Sequence, residues 1–501
     1  MEQEILSAAI DRILHWELLL ALLSGSLGGI LIGAIPGVGA AVAIAILLPV
    51  TYSMDPLVGL TLLLGIYSAS MFGGALPSIL INTPGTPVNA LTTYDGYPMT
   101  CQGKSHQALS LAYGASFFSG VLSIIALILL TPYLAQVATY FGSREIFLAA
   151  LLGIVMVVLA HRCQVLVAAF LMGFGILLST IGMEPVMLTT RYTFGFKQLN
   201  AGINLIPVIL GIFAISQAFN LLGASVSPSK TYEKMVSNPF KEFLLIFKYK
   251  FTVFYSSLFG IIMGIIPGVG EFIAQFFSYN VAKKLSKTPE MFGKGAPEGL
   301  VASEAANNAV PPAAMIPLLT LGIPGEALTA MMLSVFRVHN IIPGPRLFEE
   351  TPDLVVSLYI CMLLTNVIIL IFLLFSTNTL VRIIQIPERF LGAIILTLSL
   401  IGVYTIRSQI FDCVVAVIFG IVGLALRKLK WPLIPIVLGL VLGQIAETKF
   451  RSGMARIKSV GDLFERPVSQ VLGLLILFCI FSAIIYEVKE SINKKRKASI
   501  H

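Results

Sequence analysis

The chain has 501 residues, of which 57% are hydrophobic and only 12% charged, and its mean hydropathy is +0.92. Soluble domains carry about 25% charged residues, so these numbers exclude a soluble globular protein and identify an integral membrane protein. The net charge of +8 reads as membrane topology rather than nucleic-acid affinity, because the basic residues fall in short clusters between apolar runs.

Residues 1–16 predict a short interfacial segment, with Ile5, Ala9, Ile13 and Trp16 at helical spacing. Glu2, Glu4 and Asp11 before a long apolar run argue against a cleaved signal peptide. Apolar runs then recur at 18–50, 57–81, 108–138, 146–160, 165–183, 354–375, 390–406 and 468–486. At roughly 20 residues per span, the hydrophobic sequence holds on the order of 10 to 13 crossings or half-crossings. The expected fold is an all-α polytopic membrane protein in contact with the lipid bilayer.

Residues 17–224 form the first half of an internal repeat, and 225–250 a basic linker. Residues 251–350 carry the second half's signature, 351–487 hold C-terminal transmembrane helices, and 488–501 form a basic tail. Lys230, Lys234, Lys241, Lys248 and Lys250 in the linker, and Lys494, Lys495, Arg496 and Lys497 in the tail, place both on the cytoplasmic side by the positive-inside rule. Arg191 and Asp412 flank apolar runs and read as interfacial anchors. The five cysteines (Cys101, Cys163, Cys361, Cys413 and Cys479) are scattered, which predicts neither a disulfide framework nor a metal site.

The pattern Gly-x-Ile-Pro-Gly-Val-Gly occurs twice, at residues 33–39 and 264–270. Each copy is followed by a second Pro-Gly, at Pro84-Gly85 and Pro324-Gly325. Proline removes a backbone donor and glycine admits positive φ, so each pair interrupts a helix. A single break would favour a kink in a packed bundle. Four in a duplicated arrangement point to a transporter's midplane site, where freed N–H groups face an anion and carbonyls face a cation. An inverted repeat is the expected arrangement.

Asn82, Thr83, Pro84, Gly85 and Thr86 at the first break are therefore expected to bind substrate. So are Asn307, Asn308, Thr320, Gly322, Pro324 and Gly325 around the second, with Asn89 and Thr329 adding neutral polar groups nearby. Pro36, Gly37 and Gly39, with Pro267, Gly268, Gly270 and Glu304, are expected to act as hinges or in ion coupling. Asp95-Gly96-Tyr97-Pro98 reads as a tight turn, and Asp95 and Lys104, gating candidates, as partners or as members of a solvated loop. Glu326 is a third gating candidate. Oxygen and amide ligands without fixed charge suit a carboxylate and a sodium ion. No cofactor is expected, and no metal beyond that sodium. No complete Walker A loop, H-E-x-x-H or Gly-x-Ser-x-Gly element occurs, so an enzyme is not expected.

The order and spacing of several motifs identify a resemblance. They are Gly33–Gly39, Phe72-Gly73-Gly74, residues 81–87, residues 95–98, Glu184-Pro185, Arg191 to Gly195 and Gly264–Gly270. The most specific are Glu304-Ala305-Ala306-Asn307-Asn308-Ala309 and residues 316–325, and residues 343–345, Asp412, Pro432, Pro435 and 438–443 complete the pattern. Together they resemble the large membrane subunit of the bacterial tripartite tricarboxylate transporters. That resemblance implies a secondary transporter of the bacterial inner membrane that takes up tricarboxylates or related carboxylates by an ion gradient, usually of sodium. It also implies two partners, a small four-span membrane subunit and an extracytoplasmic solute-binding protein. A homo-oligomer is compatible with the sequence. Glu326, where a small residue is common, would compete with or select among anionic substrates. The alternatives are an anion-selective channel and a membrane-embedded enzyme acting on an anionic substrate.

Overall fold

A computed structural model describes residues 2–35, 38–161, 164–184, 189–223, 242–383, 388–454 and 460–498. Pro36 and Gly37, most of the basic linker and the last three residues lie outside the described residues. The fold is all-α apart from one antiparallel pairing of Gly182–Met183 with Thr190–Arg191. Among the described residues, nine helices are long and apolar enough to cross a membrane, and four apolar helices are shorter, at 10–17 residues. The protein is a multi-pass membrane protein.

The chain divides into two compact units that cut across the sequence-ordered segments. One comprises Met1–Ala135 and Asn204–Leu433, the other Gln136–Ile203 and Ile434–His501. In the smaller unit, the Val165–Ser179 and Ile434–Met454 helices pack closely, with Gly175 against Gly439. Arg191, expected as an interfacial anchor, forms a two-pronged ion pair with Glu447 at 2.8 and 3.2 Å. Arg451 joins Glu447 to Glu184 there.

The larger unit begins with the Glu2–Ile13 helix, whose Ala9 and Ile13 are buried as the spacing predicts, while Trp16 is exposed. Two stretches then show the same order of elements. In the first, the Trp16–Ala34 helix is followed by Gly39–Thr51 and Pro56–Ile81. In the second, Lys250–Ile265 is followed by Gly270–Leu285 and Pro297–Leu321. The first and third helices of each stretch pack on each other.

Small residues permit that packing. A Cβ on Gly33 would run into the Ser70 backbone, and one on Gly264 would lie 2.7 Å from Ala313 Cβ. Gly39 and Gly270, which end the two signatures, both adopt a φ of 65°, a conformation that costs other L-residues about 1–2 kcal/mol.

The two long central helices also end alike. Asn82 and Gly322 take left-handed conformations with φ of 56° and 68°. Thr83 N–H donates to Pro77 O and Ile323 N–H to Pro317 O, each at 3.4 Å. This six-residue closure satisfies carbonyls that the helix end leaves free.

One local expectation is corrected. Residues 95–98 are not a tight turn but lie in the Thr92–Cys101 helix, and the chain turns at Gly103, where φ is 74°.

Candidate functional site

Each second break packs against the signature of its own stretch. Gly85 lies beside Gly33 and donates its N–H to Gly74 O at 3.4 Å. Gly325 lies beside Gly264, and its carbonyl accepts from Gly268 N–H at 2.6 Å. No hydrogen bond among the described residues joins one Pro-Gly break at residues 84–85 to the other at 324–325.

The expected substrate residues divide by environment. Asn82 and Thr83 are exposed, while Gly85, Thr86, Pro324 and Gly325 are buried. Thr86 donates to Asn89 Oδ1. Thr320 turns its hydroxyl back onto Ile316 O at 2.8 Å and so offers no donor to a ligand. Pro267, Gly268 and Gly270 remain half-buried.

Glu304 is fully buried in the Pro297–Leu321 helix. Its carboxyl accepts from Thr92, from Asn89 Nδ2 at 3.3 Å, from Ser116 Oγ at 3.2 Å and from Asn308 Nδ2 at 3.3 Å. Bringing an ionised carboxylate out of water costs several kcal/mol, so this number of donors is what permits it to be buried. Asn308 also donates to Ser116 Oγ at 2.7 Å. The structure therefore brings Glu304 and Asn308 together with Asn89 and adds Thr92 and Ser116. No periodicity singles out those two hydroxyls.

Asn307, next in the chain, behaves differently. It is fully buried, and neither amide atom has a partner. Gln275 in the Gly270–Leu285 helix shares this condition, and that helix packs on Pro297–Leu321. Such a group in the core costs about 1–3 kcal/mol unless a ligand satisfies it.

A second carboxyl centre lies at the second-stretch breaks. Glu326 caps the Ala327–Val338 helix, with its N–H donating to Thr329 Oγ1 at 3.0 Å. Its carboxyl is hydrogen-bonded to Tyr67 Oη, which also lies 2.8 Å from Glu271 Oε1. Glu326 is among the expected site residues, whereas Glu271 is not. The available signal was a charged residue immediately after the second signature, in otherwise apolar sequence.

Asp95 and Lys104, expected as partners or as members of a solvated loop, do not pair with each other. Asp95 is buried and accepts from Tyr279 Oη at 2.8 Å and from the N–H groups of Gly293, Gly295 and Ala296 at 2.8–3.0 Å. It ties the Thr92–Cys101 helix to the start of Pro297–Leu321. Lys104 is exposed and reaches Gln102 at 3.4 Å.

Among the described residues, no group of three or more His, Cys, Asp or Glu is placed to hold a metal ion. Both centres set buried carboxyl groups among neutral hydrogen-bonding side chains, a chemistry suited to hard cations.

No solved structure matches the chain. A protein of Agrobacterium vitis described as an uncharacterized 52.8 kDa protein in the TAR-I ttuC' 3'region is 35% identical over 478 residues, 94% of each chain. A second, described as an uncharacterized protein in the TAR-II ttuC' 3'region of the same organism, is 35% identical over 238 residues, 47% of this chain and 97% of its own. The tripartite tricarboxylate transporter TctA family matches residues 19–438, which include both signatures, the Pro-Gly breaks at 84–85 and 324–325 and both buried carboxyl centres, and the chain belongs to that family.

Proposed function

We propose that this chain is the carrier subunit for uptake of tricarboxylates or related carboxylates across the bacterial inner membrane. A small four-span subunit and an extracytoplasmic binding protein complete the transporter, and a sodium gradient drives it. The single observation that carries the carrier reading is Asn307, a buried amide without a protein partner in the Pro297–Leu321 helix, which ends at the second-stretch break. A substrate carboxylate would satisfy its Nδ2, and Gly325 and the residue 82–86 break would supply the rest of the site.

The repeated order of elements and the matched helix endings support an internal repeat, which we read as inverted and as rocking between two faces. Buried carboxyl groups beside the breaks support coupling to a cation. The basic tail supports a cytoplasmic C-terminus. Transport without covalent chemistry is the reading, so no enzyme activity or cofactor is assigned.

Counterflow tests this against an anion channel. Proteoliposomes loaded with unlabelled carboxylate should accumulate labelled carboxylate transiently, because a carrier exchanges across one alternating site. Conductance with no counterflow would replace the carrier with a channel.

A further inference from the structure

We propose that Glu271, Glu326, Tyr67 and Gln275 form the binding site for the coupling cation, and that the cation is sodium. The proposal deepens the cation-driven reading above and rests on it.

The cluster gathers oxygen ligands from three helices. Glu271 is in the first turn of Gly270–Leu285, Glu326 caps Ala327–Val338, and Tyr67 lies in Pro56–Ile81. All are buried, with Glu271 6% and Glu326 9% exposed. Tyr67 Oη carries one hydrogen yet lies against both carboxyl groups, so it cannot donate to both. Two carboxyl groups this close and out of water cannot both be ionised without a further positive charge, which a bound cation or a proton supplies.

Gln275 supplies the independent observation. It lies four residues after Glu271 and so shares its helical face. It is fully buried, and both its amide atoms lack a protein partner. Its Oε1 is an unused oxygen on the side of the helix that presents Glu271.

The charge balance selects a monovalent ion. Both carboxyl groups sit at helix N-termini, each of which contributes about +0.5 elementary charge. Together with one monovalent cation they offset the two negative charges, whereas a divalent ion would leave an excess. Carboxylate, phenol and amide oxygens suit a hard cation.

The location suits coupling. Glu271 follows the break at Gly268–Gly270 and Glu326 the break at Pro324-Gly325, and Gly268 N–H is bonded to Gly325 O. A cation held here fastens the two second-stretch breaks to the Pro56–Ile81 helix of the first stretch.

The test is equilibrium binding of radiolabelled sodium to the full-length chain in lipid nanodiscs, with choline chloride holding ionic strength constant. The wild-type chain should bind sodium saturably. Glu271→Gln and Glu326→Gln should each raise the half-saturation concentration at least tenfold, and Gln275→Leu at least threefold. If the glutamate variants fail to fold, Gln275→Leu carries the test, because deleting an unpartnered amide removes no bond from the fold. No saturable sodium binding by the wild-type chain, or wild-type binding in the folded variants, overturns the proposal. Sodium dependence of uptake, measured in parallel, separates the two ideas. Sodium-driven uptake that these variants leave unaltered sinks the site but not the reading, whereas specific sodium binding with sodium-indifferent uptake sinks the reading but not the site.

Discussion

Replacing Asn307 by leucine should improve or preserve the fold while damaging transport. The side chain is fully buried, and neither Nδ2 nor Oδ1 meets a protein partner. Leucine has a similar shape and removes both polar atoms, so the folded chain loses no hydrogen bond and sheds an unsatisfied group. Such replacements are neutral or stabilising. The substrate complex is affected in the opposite direction. A hydrogen bond from Nδ2 to a carboxylate contributes about 1.5–3 kcal/mol, so its loss weakens binding about 10- to 150-fold. Two measurements on one preparation decide the matter: thermal unfolding in detergent, and the substrate concentration for half-maximal uptake in proteoliposomes. The expected result is an unchanged or raised unfolding temperature with a half-saturation at least tenfold higher. Wild-type half-saturation would remove Asn307 from the site, and a markedly lower unfolding temperature would refute the argument that the amide is unpartnered.

Other substitutions probe the remaining centres. Glu304→Ala strands donors of Thr92, Asn89 and Ser116 and should destabilise the chain by more than ~2 kcal/mol, read from the same unfolding assay. Asn308→Ala should both destabilise the chain and reduce uptake, since its amide serves the Glu304 network. Asp95→Ala removes an acceptor of three backbone N–H groups and a phenol and should cost at least ~2 kcal/mol, whereas Lys104→Ala should leave stability within ~0.5 kcal/mol. Asn82→Gly keeps the left-handed helix end that Asn82 adopts, so its unfolding temperature should match wild type while uptake falls if the exposed amide meets substrate.

The helix breaks were legible because proline and glycine act locally: Asn82 and Gly322 end their helices where the Pro-Gly motifs predict. Glu304 and Asn308 were legible because polar residues in apolar sequence are costly and need a reason. Their partners were not, since Thr92 and Ser116 are small hydroxyl residues far away in the chain. Tyr67 and Glu271 are 204 residues apart, and only the fold brings them together. Asp95 was misread because Gly96 and Pro98 resemble a turn, whereas acceptance of distant backbone N–H groups holds that segment in a helix with Asp95 on its buried face.

The central claim, that this chain is a carrier fed from outside by a binding protein, is tested most directly by uptake in proteoliposomes holding the chain and its small membrane partner. At micromolar carboxylate and an imposed inward sodium gradient, uptake should appear only when the loaded binding protein is added, and should saturate with that protein's concentration. Equal uptake with and without the binding protein, at the same low substrate concentration, would contradict the account.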